Sequence, residues 1–185
     1  MILASAAAIT ASALPTGSEP TTPSTDTLSA FGLITIHSGS EVQNAGVQAA
    51  RASLLVNAKS QNASCDAETN FATFYIKDEE LFLYAASATP QTIFVDRSGM
   101  GMGKIGYVTG AEPLGRNWET KGWTQNSTTG LVFDGTSLQA CPGSIDGSWS
   151  LWLAGVAEPA YIKNCTGVKM HVVETAEPIG CLYTQ

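Results

Sequence analysis

Four cysteines, Cys65, Cys141, Cys165 and Cys181, carry the plainest chemistry in this 185-residue chain. Their number is even and none stands in a C-x-x-C, which favours two disulfides over a zinc site and, with them, an oxidising compartment. Three pairings are open to four cysteines. Our preferred one joins Cys65 to Cys141 and Cys165 to Cys181, the second bridge closing the C-terminal segment; spacing leaves the other two open. A metal would have to recruit His37 and His171, and neither stands at ligand spacing from a cysteine or from the other histidine. No metal and no cofactor is expected.

Other candidate chemistry is weaker. Gly101-Met-Gly103-Lys-Ile-Gly106 has the form G-x-G-x-x-G, but no βαβ unit surrounds it. A P-loop is excluded too, because Ser98 replaces the first glycine and Ile105 follows the lysine. The stretch reads as a tight loop whose glycines supply unusual backbone angles, with Met100 and Met102 packed or exposed. No G-x-S-x-G elbow is present, and Ser38, His37 and Asp96 share no catalytic spacing. The carboxylates Asp66, Glu68, Asp78, Glu79, Glu80, Asp96 and Glu119 fall mostly in expected turns, a poor start for a glycosidase pair facing across a cleft. Asp96 is expected to form a structural ion pair with Arg97, and His37 to be a hydrogen-bonded structural residue. No catalytic residue is assigned.

Trp118, Trp123, Trp149 and Trp152 lie close together in the sequence. An exposed indole offers a flat apolar face to a sugar ring, so these four are candidate sugar-stacking residues, set against the plainer fate of core packing. Three positions along a strand is an odd step, which puts Trp149 and Trp152 on opposite faces. Three N-x-S/T sequons, at Asn62, Asn126 and Asn164, would be glycosylated in surface loops of an exported chain; Cys165 occupies the middle of the third.

The elements that position these residues are strands. Leu81–Tyr84, Thr92–Asp96 and Lys104–Val108 are short strands separated by a proline turn and the glycine-methionine loop. Phe31–His37, Phe71–Ile76, Gly130–Phe133, Thr136–Cys141, Trp149–Leu153, Val168–Val173 and Cys181–Tyr183 have strand character as well. Lys77–Glu80 turns a hairpin, and Asp134-Gly135 suits a two-residue type I′ turn. Gly46–Lys59 fits the helical and the strand period equally, and its neighbours favour two short strands. The unit Phe74–Val95 echoes in Leu131–Leu153, as in pseudo-symmetric barrels. About a dozen short strands make one all-β domain: a compact antiparallel β-barrel or β-trefoil-like fold, with a β-sandwich as the alternative.

Met1–Ala13 is an apolar run of small residues ending Ala11-Ser12-Ala13, the shape of a signal peptide with a shortened start. Residues 14–27 are a Ser/Thr/Pro-rich disordered leader, and residues 28–185 the β domain. With 44% apolar and 14% charged residues the domain can bury a proper core. A net charge of −7 and nine scattered basic residues argue against nucleic acid or an anionic membrane as partner.

Several stretches resemble a known family: Ser60–Cys65, Leu83–Gln91, Val95-Asp-Arg-Ser-Gly-Met-Gly-Met-Gly-Lys-Ile-Gly-Tyr-Val-Thr-Gly110, the Ala140-Cys-Pro142 turn and Cys181-Leu-Tyr-Thr-Gln185. Over Phe31 to Gln185 the chain is similar to the PhiA family of small secreted cell-wall proteins of filamentous fungi. That resemblance implies a non-catalytic, glycosylated wall protein linked to phialide and conidium development. Related secreted proteins of plant pathogens act as elicitors, and allergens occur among them. The partners expected are wall polysaccharide or wall proteins, or a plant host receptor. Three competing readings are a secreted elicitor or effector recognised by a plant host, a polysaccharide-binding module using an exposed tryptophan and a wall-remodelling glycoside hydrolase.

Overall fold

The computed structural model describes residues 29–85 and 89–185, so the signal-peptide and leader assignments lie outside the described residues. The regular structure of the described residues is almost wholly strand: β1 (Phe31–Ile36), β2 (Ala45–Ala50), β3 (Ser53–Val56), β4 (Ser64–Cys65), β5 (Phe74–Lys77), β6 (Glu80–Leu83), β7 (Gln91–Asp96), β8 (Lys104–Thr109), β9 (Trp118–Glu119), β10 (Trp123–Asn126), β11 (Gly130–Phe133), β12 (Leu138–Cys141), β13 (Trp149–Leu153), β14 (Thr166–Glu174) and β15 (Cys181–Leu182). Single 3₁₀ turns at Ile145–Gly147 and Pro159–Tyr161 complete the set.

One antiparallel sheet of eleven strands dominates, and it bends back on itself. Strand β1 pairs with β2 on one side and along its whole length with β14 on the other, from Phe31 opposite Glu174 to Ile36 opposite Lys169. Following the partners from β1 through β2, β3, β13, β12 and β14 returns to β1, a ring of six strands. Strands β5 to β8 extend from it and rejoin at β3 and β13. Strands β10 and β11 form a separate hairpin, and β15 pairs with β4.

The core follows the two-residue period. In β1, Phe31, Leu33 and Thr35 are buried while Gly32, Ile34 and Ile36 face outward. Phe31 and Leu33 join Phe74, Leu81, Leu83, Ile93, Val95 and Leu151 in one contiguous core. Gly46–Lys59 supplies β2 and β3, and its ambiguous period has a physical cause. Val47, Ala49, Leu54 and Val56 enter the main core, while Ala50, Leu55 and Ala58 form a second cluster under Ile145 on the other side. A segment covered on both faces shows no alternation to read.

Turns of type I′ connect the hairpins with few glycines. Asp78 and Glu79 (φ 52° and 64°) join β5 to β6, and Arg51 and Ala52 (φ 49° and 53°) join β2 to β3. Asp134-Gly135 does adopt the expected two-residue turn (φ 45° and 73°), closed by reciprocal backbone bonds between Phe133 and Thr136. The hairpin stops there, because β11 pairs with β10 and β12 with β13 and β14. The echo of Phe74–Val95 in Leu131–Leu153 is therefore not a repeated pairing pattern. The strand expected from Phe71 starts at Phe74 instead, and the exposed Phe71 ring lies over Gly46, where a Cβ would come within 2.4 Å of it.

The disulfides join Cys65 to Cys181 and Cys141 to Cys165, correcting the preferred pairing. The reason is register: β15 lies against β4 with Cys181 directly opposite Cys65. Two buried glutamines act as lateral peptide groups. Gln48 exchanges both amide bonds with Ala58, at 2.7 and 2.8 Å. Gln91 does the same with Tyr183, both bonds at 2.9 Å, and also donates to Thr109 Oγ1. Gln91→Ala should orphan a buried N–H and a buried C=O at Tyr183, each worth about 1–3 kcal/mol. We expect a loss of about 2–4 kcal/mol in urea unfolding; a change near zero would mean that Tyr183 finds other partners.

Candidate functional site

The four tryptophans are not one site. Trp123 is buried, packed edge-on against Phe133 in the core. Trp149 lies on the inner side of β13 with Leu151 and Leu153 and packs on the core. Trp118 stacks on Phe94 with ring centroids 3.7 Å apart and planes 3° from parallel. A Cβ on Gly115 would sit 2.6–2.8 Å from its Cε2, Cδ2 and Nε1. Near-equal distances to three ring atoms place the Gly115 backbone over the indole face that Phe94 leaves, so Trp118 has no open face for a sugar. Trp152 remains: it is half-buried on the outer side of β13, between Gln139 and Lys104 in register, with Nε1 donating to Ser150 Oγ at 2.9 Å.

Two loops frame Trp152. The glycine-methionine loop leaves β7 at Asp96, whose carboxylate accepts from Ser98 N while Ser98 Oγ accepts from Gly101 N. A side chain at Gly101 would fall 2.1 Å from Asp96 Cγ, and Gly103 (φ +85°) lies 2.8 Å by the same measure from the Leu153 carbonyl. These glycines serve backbone geometry. The second loop, residues 154–165, crosses the outer side of β12, where Gln139 donates to Val156 O and Cys165 bridges to Cys141. It reaches the first loop where Ala160 N donates to Met102 Sδ at 3.3 Å. At its tip Ala160 and Tyr161 hold positive φ (49° and 62°), and Tyr161 is 83% exposed. Met100 on the first loop is 94% exposed. The two loops, joined at Ala160 and Met102, thus expose Tyr161 and Met100, and the first loop ends at Lys104, which is paired in register with Trp152. The aromatic side chains of Trp152 and Tyr161 can each stack on a flat ring. Sequence reading missed Tyr161; the Pro159-led turn in an otherwise strand-rich chain was the only signal that could have found it.

Expected acid chemistry resolves into structure. Arg97 does not pair with Asp96. It makes a bidentate bond to Glu119 and a 3.0 Å ion pair with Asp134, and it lies 5.2 Å from the Phe133 ring centre. Asp96, occupied in capping its loop, is unavailable. The hydrogen-bonded Arg97 guanidinium holds the Glu119 carboxyl below its ordinary value of 4.5. A depressed folded value stabilises the fold above pH 4.5, and the contribution is lost as pH falls through that lower value. Both side chains are about two-fifths exposed, so solvent screening keeps the effect small. Glu119→Gln should therefore flatten the fall in thermal stability on the acid side of pH 4.5. An unchanged acid slope in melting curves would show that other carboxylates carry it. His37 is structural, with its backbone N–H on Gln43 Oε1 and Nδ1 2.6 Å from Gly167 O.

Among the hollows elsewhere, two have a carboxylate on their walls. One, of about 310 Å³, is lined by Phe94, Trp118, Tyr107, Lys104 and Glu112, and burial raises the Tyr107 phenol well above its usual range. The other, of about 420 Å³, lies between the β10–β11 hairpin and β14, lined by Gln125, Asn126, Ser127, His171, Val172 and Glu174. Each holds a single carboxylate. Among the described residues no group of three metal-ligating side chains comes together. The sequon asparagines Asn62, Asn126 and Asn164 are all exposed, and Thr166 of the third sequon contacts His37.

A family model described as PhiA-like secreted protein matches residues 31–184. A protein of Aspergillus fumigatus named cell wall protein phiA is 55% identical over 157 residues, covering 84% of this chain and 85% of the relative. One of the same name from Emericella nidulans is 48% identical over 187 residues and the whole of both chains. Another, from Arthroderma benhamiae, is 39% identical over 153 residues, 78% of this chain and 82% of the relative. No solved structure matches the chain.

Proposed function

This chain belongs to the PhiA-like secreted protein family, and from that membership we propose that it is a non-catalytic glycoprotein of the fungal cell wall, acting by association in wall organisation during phialide and conidium development. The observation that carries the reading is the match itself, which spans residues 31–184 and so takes in all fifteen strands. Relatives under that match are named cell wall proteins. The single carboxylate in each hollow, and the structural duties of Asp96, Glu119 and Asp134, support association over hydrolysis. Two disulfides suit a domain that has to persist outside the cell.

Wall polysaccharide is the partner we favour, through Trp152 and Tyr161. The experiment is retention of the purified secreted protein on insoluble β-glucan and chitin, with Trp152→Ala and Tyr161→Ala alongside. Retention by the natural chain, weakened by about 1–2 kcal/mol in a folded variant, supports the assignment. No retention by any form overturns the polysaccharide arm and turns the search to wall proteins or a plant host receptor. The developmental role is tested separately by deleting the gene and counting phialides and conidia before and after complementation.

A further inference from the structure

The cleft between the β10–β11 hairpin and β14 has an attachment point for a ligand on its own rim. Asn126 ends β10, begins the sequon Asn126-Ser127-Thr128 and lines the cleft. Its Oδ1 accepts from the backbone N–H groups of Thr128 and Thr129, at 2.9 and 2.7 Å, which fixes the side chain. Its Nδ2, the atom a glycan would occupy, donates to no protein group among the described residues. We propose that an N-linked glycan on Asn126 folds back into this cleft, its first N-acetylglucosamine residues lying against β14. The proposal rests on the glycoprotein part of the functional reading and deepens it.

Both walls fit that occupant. An N-acetylglucosamine ring is amphipathic, with axial hydrogens and an acetyl methyl for apolar contact and hydroxyls around its edge. Val172 supplies an apolar patch on the β14 side, and His171, Glu174, Gln125 and Ser127 supply donors and acceptors around it. A volume of about 420 Å³ falls within the range that holds small ligands. The hairpin is held to β14, so the cleft has firm sides: Gly130 packs directly on the Met170 backbone and Lys169 Nζ donates to Ser127 O. The other two sequons differ. Asn62 and Asn164 are exposed with positive φ (48° and 62°), and neither lines a comparable cleft among the hollows described above. In the transfer that installs the glycan, Asn126 Nδ2 loses a proton and bonds to C1 of the sugar. The C1–oxygen bond to a lipid-linked pyrophosphate donor breaks, the lipid pyrophosphate leaves with the bonding electron pair, and the amide proton passes to a base of the transferring enzyme.

The test uses the full secreted protein from a fungal host, with sugar at Asn126 followed by mass spectrometry during endoglycosidase trimming. Trimming of the native protein should run about tenfold slower than on the same protein reduced and denatured, equivalent to 1.4 kcal/mol of docking. The double variant His171→Ala/Glu174→Ala changes only exposed side chains and should restore most of the lost rate. Three results would overturn the proposal: Asn126 without sugar, equal native and denatured rates, or slow trimming that the double variant leaves untouched. All are read on purified protein, independently of whether it binds β-glucan or chitin.

Discussion

The double variant Cys65→Ala/Cys181→Ala should lose about 4–5 kcal/mol of stability, because the bridge it removes closes a loop spanning 116 positions. In the chain-entropy account a disulfide acts mainly by restricting the unfolded chain, and its effect grows with the logarithm of loop length. The second bridge, Cys141–Cys165, spans 24 positions and should contribute about 1.4 kcal/mol less. A domain of this size has roughly 5–15 kcal/mol in hand, so the first variant is expected near the limit of folding and the second well inside it. Alanine is preferred to serine because Cys141 and Cys181 are fully buried and a hydroxyl there would need a partner. Urea unfolding of both double variants without reductant gives the comparison. A larger loss from Cys141→Ala/Cys165→Ala would show that native packing, and not loop closure, sets the order.

Gly130→Ala is the second large effect. A Cβ at residue 130 would lie 2.0 Å from the Met170 carbonyl oxygen and 2.9 Å from its carbon, both backbone atoms of β14. No rotamer change can relieve that contact, so the β10–β11 hairpin has to move away from the sheet. The residue also holds φ +75°, which costs an alanine about 1–2 kcal/mol before any clash. Overpacking adds about 1–3 kcal/mol, for an expected total of about 2–5 kcal/mol. Gly135→Ala is the matched control, with φ +73° and nothing within 4 Å of the added carbon. It should show the conformational part alone. Equal losses for the two variants in chemical denaturation would mean that the hairpin is not wedged against β14 as described.

How far the fold could be read from the sequence depended on how its strands meet water. Trp149–Leu153 was readable to the residue, because Leu151 and Leu153 face the core and the outer positions do not. Strand β10 escaped notice because Thr124, Gln125 and Asn126 are all exposed and Trp123 alone is buried, leaving no alternation. Strands β4 and β9 have two residues each, too short for any period. Long-range partners were hidden for a different reason. Arg97 reaches Glu119 and Asp134 only after β9 and the Asp134 turn are brought alongside β7, so its sequence neighbour Asp96 looked the natural partner. Among the site residues, the type of Trp152 was visible and its freedom was not. Nothing local distinguishes it from Trp118, whose faces are closed by Phe94 and the Gly115 backbone.

The pairing of β1 with β14 has a consequence in time. Residues 31–36 find their full-length partner only in residues 169–174, so the ring of six strands cannot close until nearly the whole domain is present. Such distant pairing makes for slow folding, during which β1 offers an unpaired apolar edge to other chains. The same topology works the other way once the ring is shut. Strand β1 cannot peel off as an edge strand, since it is bonded to β14 on one side and to β2 on the other, and β14 passes from β1 at residues 169–174 to β12 at residues 166–168. Releasing β1 must break its ladders to β14 and to β2 together, which favours slow opening and lengthens the protein's life among extracellular proteases wherever cleavage outpaces reclosing.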